Sequence, residues 1–380
     1  AADRQQSITT KQYDSHDSIV VTQEYRLTPD QPGRIDIQWR FRIPDRVSDV
    51  QTQLPPDATN VRTSRFRQTD DRTYEWSGNT STAAITFTRE ANETTDRVGP
   101  EASDGRLKFV DAGDWAVIRR QPATTPGYRY PRGQDPGVSL RSAVAGDGVV
   151  GDDLVYLGPH ETSERTTHGQ QFRLVVPDAA NLATDREEIF ESVTHASNRL
   201  RIGDRDESVL MIAAPTSVSW GVLGLQMGSS DFYVLADERV DTPDNTWVHE
   251  YVHTRQDLDS SDGARWFYEG SAEYYAALLT LEQDRIGYDA FRDQLERGTW
   301  HQFADVRLAV PSTWRATGAN YYTGALVAGD IDRRIRLATD GEATLQDAFR
   351  RMNREESAVT HSQFLEYVRD ESGESVADSA

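Results

Sequence analysis

The clearest periodicity in the chain lies at residues 35–43, Ile-Asp-Ile-Gln-Trp-Arg-Phe-Arg-Ile, where apolar and polar positions alternate without a break. A period of two belongs to a strand with one buried and one wet face. Ile19, Val21, Tyr25 and Leu27 predict a strand before it. Shorter apolar runs predict strands at 84–88, 107–110, 115–118, 154–157 and 172–176, separated by turns rich in Gly, Pro and Asp. Short, regularly spaced strands imply an antiparallel β-sandwich-like domain over residues 1–177. The Gly- and Pro-rich stretch 121–151 is expected to be its least ordered loop.

The pattern changes after Pro177. Thr184-Asp185-Arg186-Glu187 has the form of a capping box, and Ile189, Phe190, Val193 and Ala196 follow at helical spacing. Residues 209–214 and 232–235 read as strands, with a Gly-rich turn between them. Thr242 before Pro243 predicts a helix start, because the missing proline N–H costs nothing in the first turn. Beyond Gly324 the chain reads as helical, with caps at Thr344 and at Thr360, the latter boxed with Gln363. Residues 178–380 therefore form a second domain, mostly α-helical with a small sheet, and the fold class is α+β multidomain.

Composition narrows the partners. Against 41 basic residues stand 62 acidic ones, a formal charge of −21, and a field of that sign disfavours nucleic acid and anionic lipid. Lysine occurs only at Lys11 and Lys108, and this acidic, Lys-poor balance resembles proteins of salt-loving microbes, whose carboxylates keep a surface hydrated in salt. There is no cysteine, so thiolate ligands and disulfides are excluded. No apolar run approaches the roughly 20 residues of a membrane span. The sequons at Asn79 and Asn92 fit an extracellular or cell-surface setting, and the Ala1-Ala2-Asp3 start fits either a processed export product or a chain from which a signal or anchor has been left out.

Candidate chemistry centres on His249-Glu250-Tyr251-Val252-His253, on the helix predicted after Thr242. Residues four apart share a helix face, so the two imidazoles can reach one Zn2+ ion. Glu250 beside them is the candidate general base for a metal-activated water. A second predicted helix carries Glu269 and Glu273, again four apart on one face. A catalytic zinc takes two His and one carboxylate and keeps a position open, so either Glu can complete the set. The remaining histidines, His16, His160, His168, His195, His301 and His361, have no companion ligand nearby in sequence.

The stretch Trp266-Phe267-Tyr268-Glu269-Gly270-Ser271-Ala272-Glu273 after this motif resembles the W-x-x-E-G-x-A pattern of the gluzincin zinc peptidases, the glycyl aminopeptidase and aminopeptidase N families among them. The resemblance implies a thermolysin-like catalytic domain, with Glu269 as third metal ligand and Glu273 as a carboxylate orienting His249. Spacing in the aminopeptidase N and thermolysin branches is closer to that between His253 and Glu273. Asn320-Tyr321-Tyr322-Thr323-Gly324 is similar to a Y-x-K-G segment whose Tyr donates to an oxyanion, which implies Tyr321, or Tyr322 as the alternative. Gly224-Leu225-Gln226-Met227-Gly228 resembles the substrate-binding edge strand of those families and implies substrate contacts at Gly224, Gln226, Met227 and Gly228. The aminopeptidases carry a Glu there for the substrate α-amine, where this chain has Gln226 or Met227.

The expectation is thus a zinc-dependent peptidase acting on peptides or proteins, of aminopeptidase-like ancestry but an endopeptidase or atypical exopeptidase. The alternative is a catalytically inactive cell-surface binding protein that retains a zinc site. Oligomeric state is not legible in the sequence.

Overall fold

The computed structural model describes residues 18–78, 80–96 and 105–372; Lys11, His16, Asn79 and the acidic end from residue 373 lie outside them. The chain is α+β and divides into two compact units, one within residues 1–93 and 109–161, the other within 94–108 and 162–380.

In the first unit the five strands Val138–Val144, Ile19–Leu27, Arg34–Arg42, Thr82–Glu90 and Thr59–Ser64 lie side by side in that order. The alternation at 35–43 works as read: Ile35, Ile37, Trp39 and Phe41 are buried and their neighbours are not. A four-stranded sheet holds Gly127–Arg129, Asp49–Gln53, Thr73–Trp76 and Phe66–Asp70, and a third includes Gly148–Val150, Leu154–Leu157 and Ala116–Arg119. One core cluster draws on all three, with Trp39 edge-on to Phe87 at 5.3 Å.

Two expectations are corrected here. The stretch 121–151 is not a loop, since it supplies the strands Gly127–Arg129, Val138–Val144 and Gly148–Val150. The unit is also not purely antiparallel: Val138–Val144 pairs in parallel with the first strand, from Ile19 opposite Val138 to Tyr25 opposite Val144. That strand was hidden because two of its three buried positions are the polar Ser139 and Ser142, and because, with buried residues at 139, 142 and 144, neither burial nor hydropathy alternates along it.

The second unit is built on a sheet in the order His160–Thr167, Gln170–Pro177, Ser208–Ala214, Asp231–Leu235 and Gly224–Met227. Its three middle strands are parallel and nearly continuous in apolar residues, as a sheet covered on both faces requires. Gln170–Pro177 belongs to this sheet, so the boundary expected at 177 lies too late. The period-2 reading cannot tell which sheet a strand joins. Gly224–Met227 runs antiparallel to Asp231–Leu235 at the sheet edge.

Seven α-helices lie among the described residues: α1 Arg186–Arg199, α2 Thr246–His253, α3 Trp266–Glu282, α4 Tyr288–Glu296, α5 Ala319–Ala338, α6 Leu345–Met352 and α7 His361–Ser372. The capping boxes at Thr344 and Thr360 form, the first with Asp347 and the second with Gln363. The box at Thr184 does not: Asp185 is the N-cap, without a side-chain cap, and Glu187 is drawn to Arg165 instead. Nor does a helix begin after Thr242, because α2 starts three residues later at a better cap, Asn245, whose side chain accepts from Val248 N at 3.3 Å. The Asn245 amide also donates to Ser192 Oγ, Val240 O and Thr280 Oγ1, which fixes the start of the helix in the core.

Helices α3 and α5 cross at two glycines. A Cβ on Gly270 would lie 2.7 Å from the Gly324 carbonyl carbon, and one on Gly324 would lie 2.9 Å from Gly270 Cα. Only two residues without side chains permit this approach, which sets Glu269 on one helix against Tyr321 on the other.

Candidate metal centre

All eight residues of α2 are buried. Trp247, Val248, Tyr251 and Val252 enter the hydrophobic core, which leaves His249, Glu250 and His253 on the face towards α3 and the edge strand. His249 Nε2 and His253 Nε2 lie 3.0 Å apart, and Glu269 Oε2 lies 3.4 Å from the first and 3.2 Å from the second. Among the described residues these three form the group of His, Cys, Asp or Glu side chains able to hold a metal ion.

The donor set fits zinc. Ligands about 2.0–2.2 Å from one ion in tetrahedral array sit about 3.3–3.5 Å from each other, close to the edges found here. Two ring nitrogens at 3.0 Å need a shared proton or cation between them. Burial alone would push the Glu269 carboxyl up, but the charge of His253 and hydrogen bonds from both imidazoles outweigh it and hold Glu269 well below the ordinary carboxylate range. The pocket therefore presents an anion to the point where positive charge is favoured.

Each imidazole is also held from behind. Glu273 Oε2 lies 3.3 Å from His249 Nδ1, and Glu273 in turn accepts from the buried Gln294 Nε2 at 2.5 Å. The Tyr321 ring stacks on His249, with centroids 5.9 Å apart and planes at 11°. His253 Nδ1 lies 2.6 Å from Gln256 Oε1, and the Tyr268 ring stacks on it at 4.4 Å and 16°. Gln256, Tyr268 and Gln294 were not singled out in the sequence. Tyr268 was adjacent to Glu269 and could have been suspected, whereas Gln256 and Gln294 sit in no motif.

Glu250 lines the same small pocket as the three candidate ligands, with Gly224 and Gln226 across from it. Gly224 is required there, since a Cβ would come 2.6 Å from Glu250 Oε1. Of the two candidates on the strand, Gln226 lines the pocket and Met227 does not. The Gln226 amide donates to Gly228 O, and Tyr268 OH lies 3.4 Å from Gln226 Oε1. Gly228 itself makes the turn after the strand, at φ 62°. The tyrosine pair also separates: Tyr321 reaches the pocket, while Tyr322 packs against Trp300 and Phe303. Tyr268, Glu269 and Tyr321 continue into a larger cleft of about 680 Å3, whose far wall includes Trp314 and Arg315.

No protein-family model matches the chain, and no curated protein matches it. Solved structures do. An aminopeptidase N family protein from Idiomarina loihiensis superposes with a TM-score of 0.58 at 13% identity, over 94% of this chain and 74% of that one. The M1 zinc metallopeptidase from Deinococcus radiodurans superposes with a TM-score of 0.52 at 14% identity, over 95% and 91%. A mutant of that enzyme bound to a Tyr-Ser-Ala substrate gives the same score and coverage. The fold is similar to that of these solved zinc metallopeptidases. At this identity the likeness concerns the fold, and the chemistry has to be argued from the side chains.

Proposed function

We propose that the chain is a zinc-dependent peptidase. The observation that carries this reading is the convergence of His249 Nε2, His253 Nε2 and Glu269 Oε2 within 3.0–3.4 Å, with Glu250 in the same pocket at the end of a cleft. His249, His253 and Glu269 would hold one Zn2+ ion, with Glu273 orienting His249. When bound, the ion supplies Lewis-acid polarisation of a carbonyl and lowers the pKa of water. Glu250 accepts the proton of the attacking water and returns it to the leaving amine. The Tyr321 hydroxyl donates to the oxygen on which negative charge develops, and its stacking on His249 limits its swing. An extended peptide pairs with the free edge of Gly224–Met227 by main-chain hydrogen bonds, so it is held largely independently of its side chains.

Selection between chain ends and internal bonds turns on Gln226. A carboxylate at that position would hold a substrate α-amine as an ion pair, and a neutral amide gives up that attraction. The protein is accordingly an endopeptidase or an atypical exopeptidase. A peptide and its N-acetylated twin, digested side by side in high salt, test this: comparable cleavage is expected, and strict preference for the free amine would sink it. Cleavage of neither by a zinc-loaded sample would favour a binding protein that keeps the metal. The acid-rich, Lys-poor composition supports a salt-adapted protein, and the sequons at Asn79 and Asn92 an extracellular or cell-surface one.

A further inference from the structure

A buried imidazole can offer one nitrogen's lone pair to a metal only if its other nitrogen carries the proton, and that proton needs an acceptor. His249 Nδ1 faces Glu273 at 3.3 Å, an ion-pair contact outside hydrogen-bond geometry but with a group that can only accept. His253 faces a neutral amide, which can present either its oxygen or its NH2 group. The surroundings of Gln256 decide which. Its Nε2 donates to the Tyr268 carbonyl at 2.8 Å and lies 3.0 Å from Ser271 Oγ. Rotating the amide by a half-turn would set its oxygen against the Tyr268 carbonyl oxygen and its NH2 group against His253 Nδ1. The first contact pairs two acceptors, and the second would demand a lone pair on Nδ1 and a proton on Nε2. With the amide as it stands, Oε1 meets Nδ1 at 2.6 Å, Nδ1 is the donor, and Nε2 is the nitrogen left to offer a lone pair to an ion shared with His249 and Glu269.

The same contacts join two helices. Gln256 lies just past the end of α2, while Tyr268 and Ser271 lie in the first two turns of α3 on either side of Glu269. The Tyr268 residue whose carbonyl fixes the amide also lays its ring on His253.

We propose that Gln256 is the positioning residue of His253: it sets the tautomer of that ring and ties its lone pair to the position of Glu269, the part Glu273 plays for His249. The proposal rests on the metal-centre reading. The two residues differ in charge, so the centre has one outer carboxylate rather than two.

The test is zinc affinity of the purified chain by competition with a chelator, together with the melting temperature of the metal-free protein and the absorption spectrum of the cobalt form. Gln256→Met, close in volume but without an acceptor, is expected to bind zinc about 10–100-fold more weakly, the usual cost of losing such a partner. Its cobalt spectrum should shift, and its loss of zinc affinity should exceed what the fall in metal-free melting temperature from losing the bonds to Tyr268 O and Ser271 Oγ accounts for. Gln256→Glu, which restores an acceptor towards Nδ1 but sets its second oxygen against the Tyr268 carbonyl, should recover part of the loss. Equal zinc affinity in Gln256→Met and wild type would overturn the proposal, as would equal losses in both variants. A wild type that takes up no zinc refutes the metal-centre reading itself, and the proposal with it. Should Gln256→Met not fold, proton exchange in the zinc-loaded wild type decides: a His253 Nδ1 proton protected by its hydrogen bond supports the proposal, and a freely exchanging one overturns it.

Discussion

Both units bury polar side chains, and they do so to opposite ends. In the first unit Trp39 Nε1 donates to Gln23 Oε1 at 2.6 Å, Gln23 Nε2 donates to Tyr25 OH and to Gln121 O, and Tyr25 OH donates to Gln121 O at 2.9 Å. Donors and acceptors match, and burial pushes the Tyr25 hydroxyl up to about 12, so it stays neutral. In the second unit three groups that bind through lone pairs are aimed at one another, with Glu250 beside them. A network whose members satisfy each other stabilises a core, whereas converging lone pairs leave room for a cation.

Four substitutions sharpen this contrast. The largest effect is expected at Glu250→Gln, which removes the proton acceptor but no metal donor: peptide turnover should fall about 10²–10⁴-fold while zinc content is unchanged. Tyr321→Phe keeps the ring on His249 and removes only the hydroxyl. Its kcat should drop about 10²–10³-fold with KM nearly constant, measured on one peptide at saturating and limiting concentration. Gln23→Leu should act on the other side of the comparison. Leaving the buried Trp39 Nε1 without its acceptor costs about 1–3 kcal/mol in denaturant unfolding, with zinc affinity untouched.

The smallest effect concerns Glu282. His195 at 3.8 Å, together with Arg199, which donates at 2.7 Å, lowers the Glu282 carboxyl to about 2 against the opposing effect of burial. A depressed carboxyl contributes stability above the ordinary carboxylate range and loses it as pH falls through the lowered value. Glu282→Gln should therefore be less stable than wild type near pH 6, by about 1 kcal/mol after allowance for solvent screening, with the difference shrinking as pH falls towards 2 and vanishing below it.

How much of this was legible in the sequence followed the same division. The strand at 35–43 and the helix caps at Thr344 and Thr360 were readable because one local rule fixes each. Val138–Val144 was not, since its pairing with Ile19–Leu27 is non-local and two of its three buried residues are serines. The cap at Thr242 was misread because Asn245 draws its advantage from Ser192 and Thr280, both remote in sequence. At the candidate site His249, Glu250 and His253 were readable from helical spacing, and Glu269 and Tyr321 only through the resemblance. The glycines beside those two residues have a physical meaning that appears only when α3 and α5 cross. Gln256 carried no signal, because an amide three residues past a histidine is informative only once its partners are known.

The central claim is that lone pairs from His249, His253 and Glu269 hold one zinc ion. Native mass spectrometry of the purified chain, supplied with stoichiometric zinc and compared with His249→Ala, tests it most directly. One ion per wild-type chain and none on the variant is the expected result. A wild type that stays metal-free, or a variant that keeps its ion, would contradict the account.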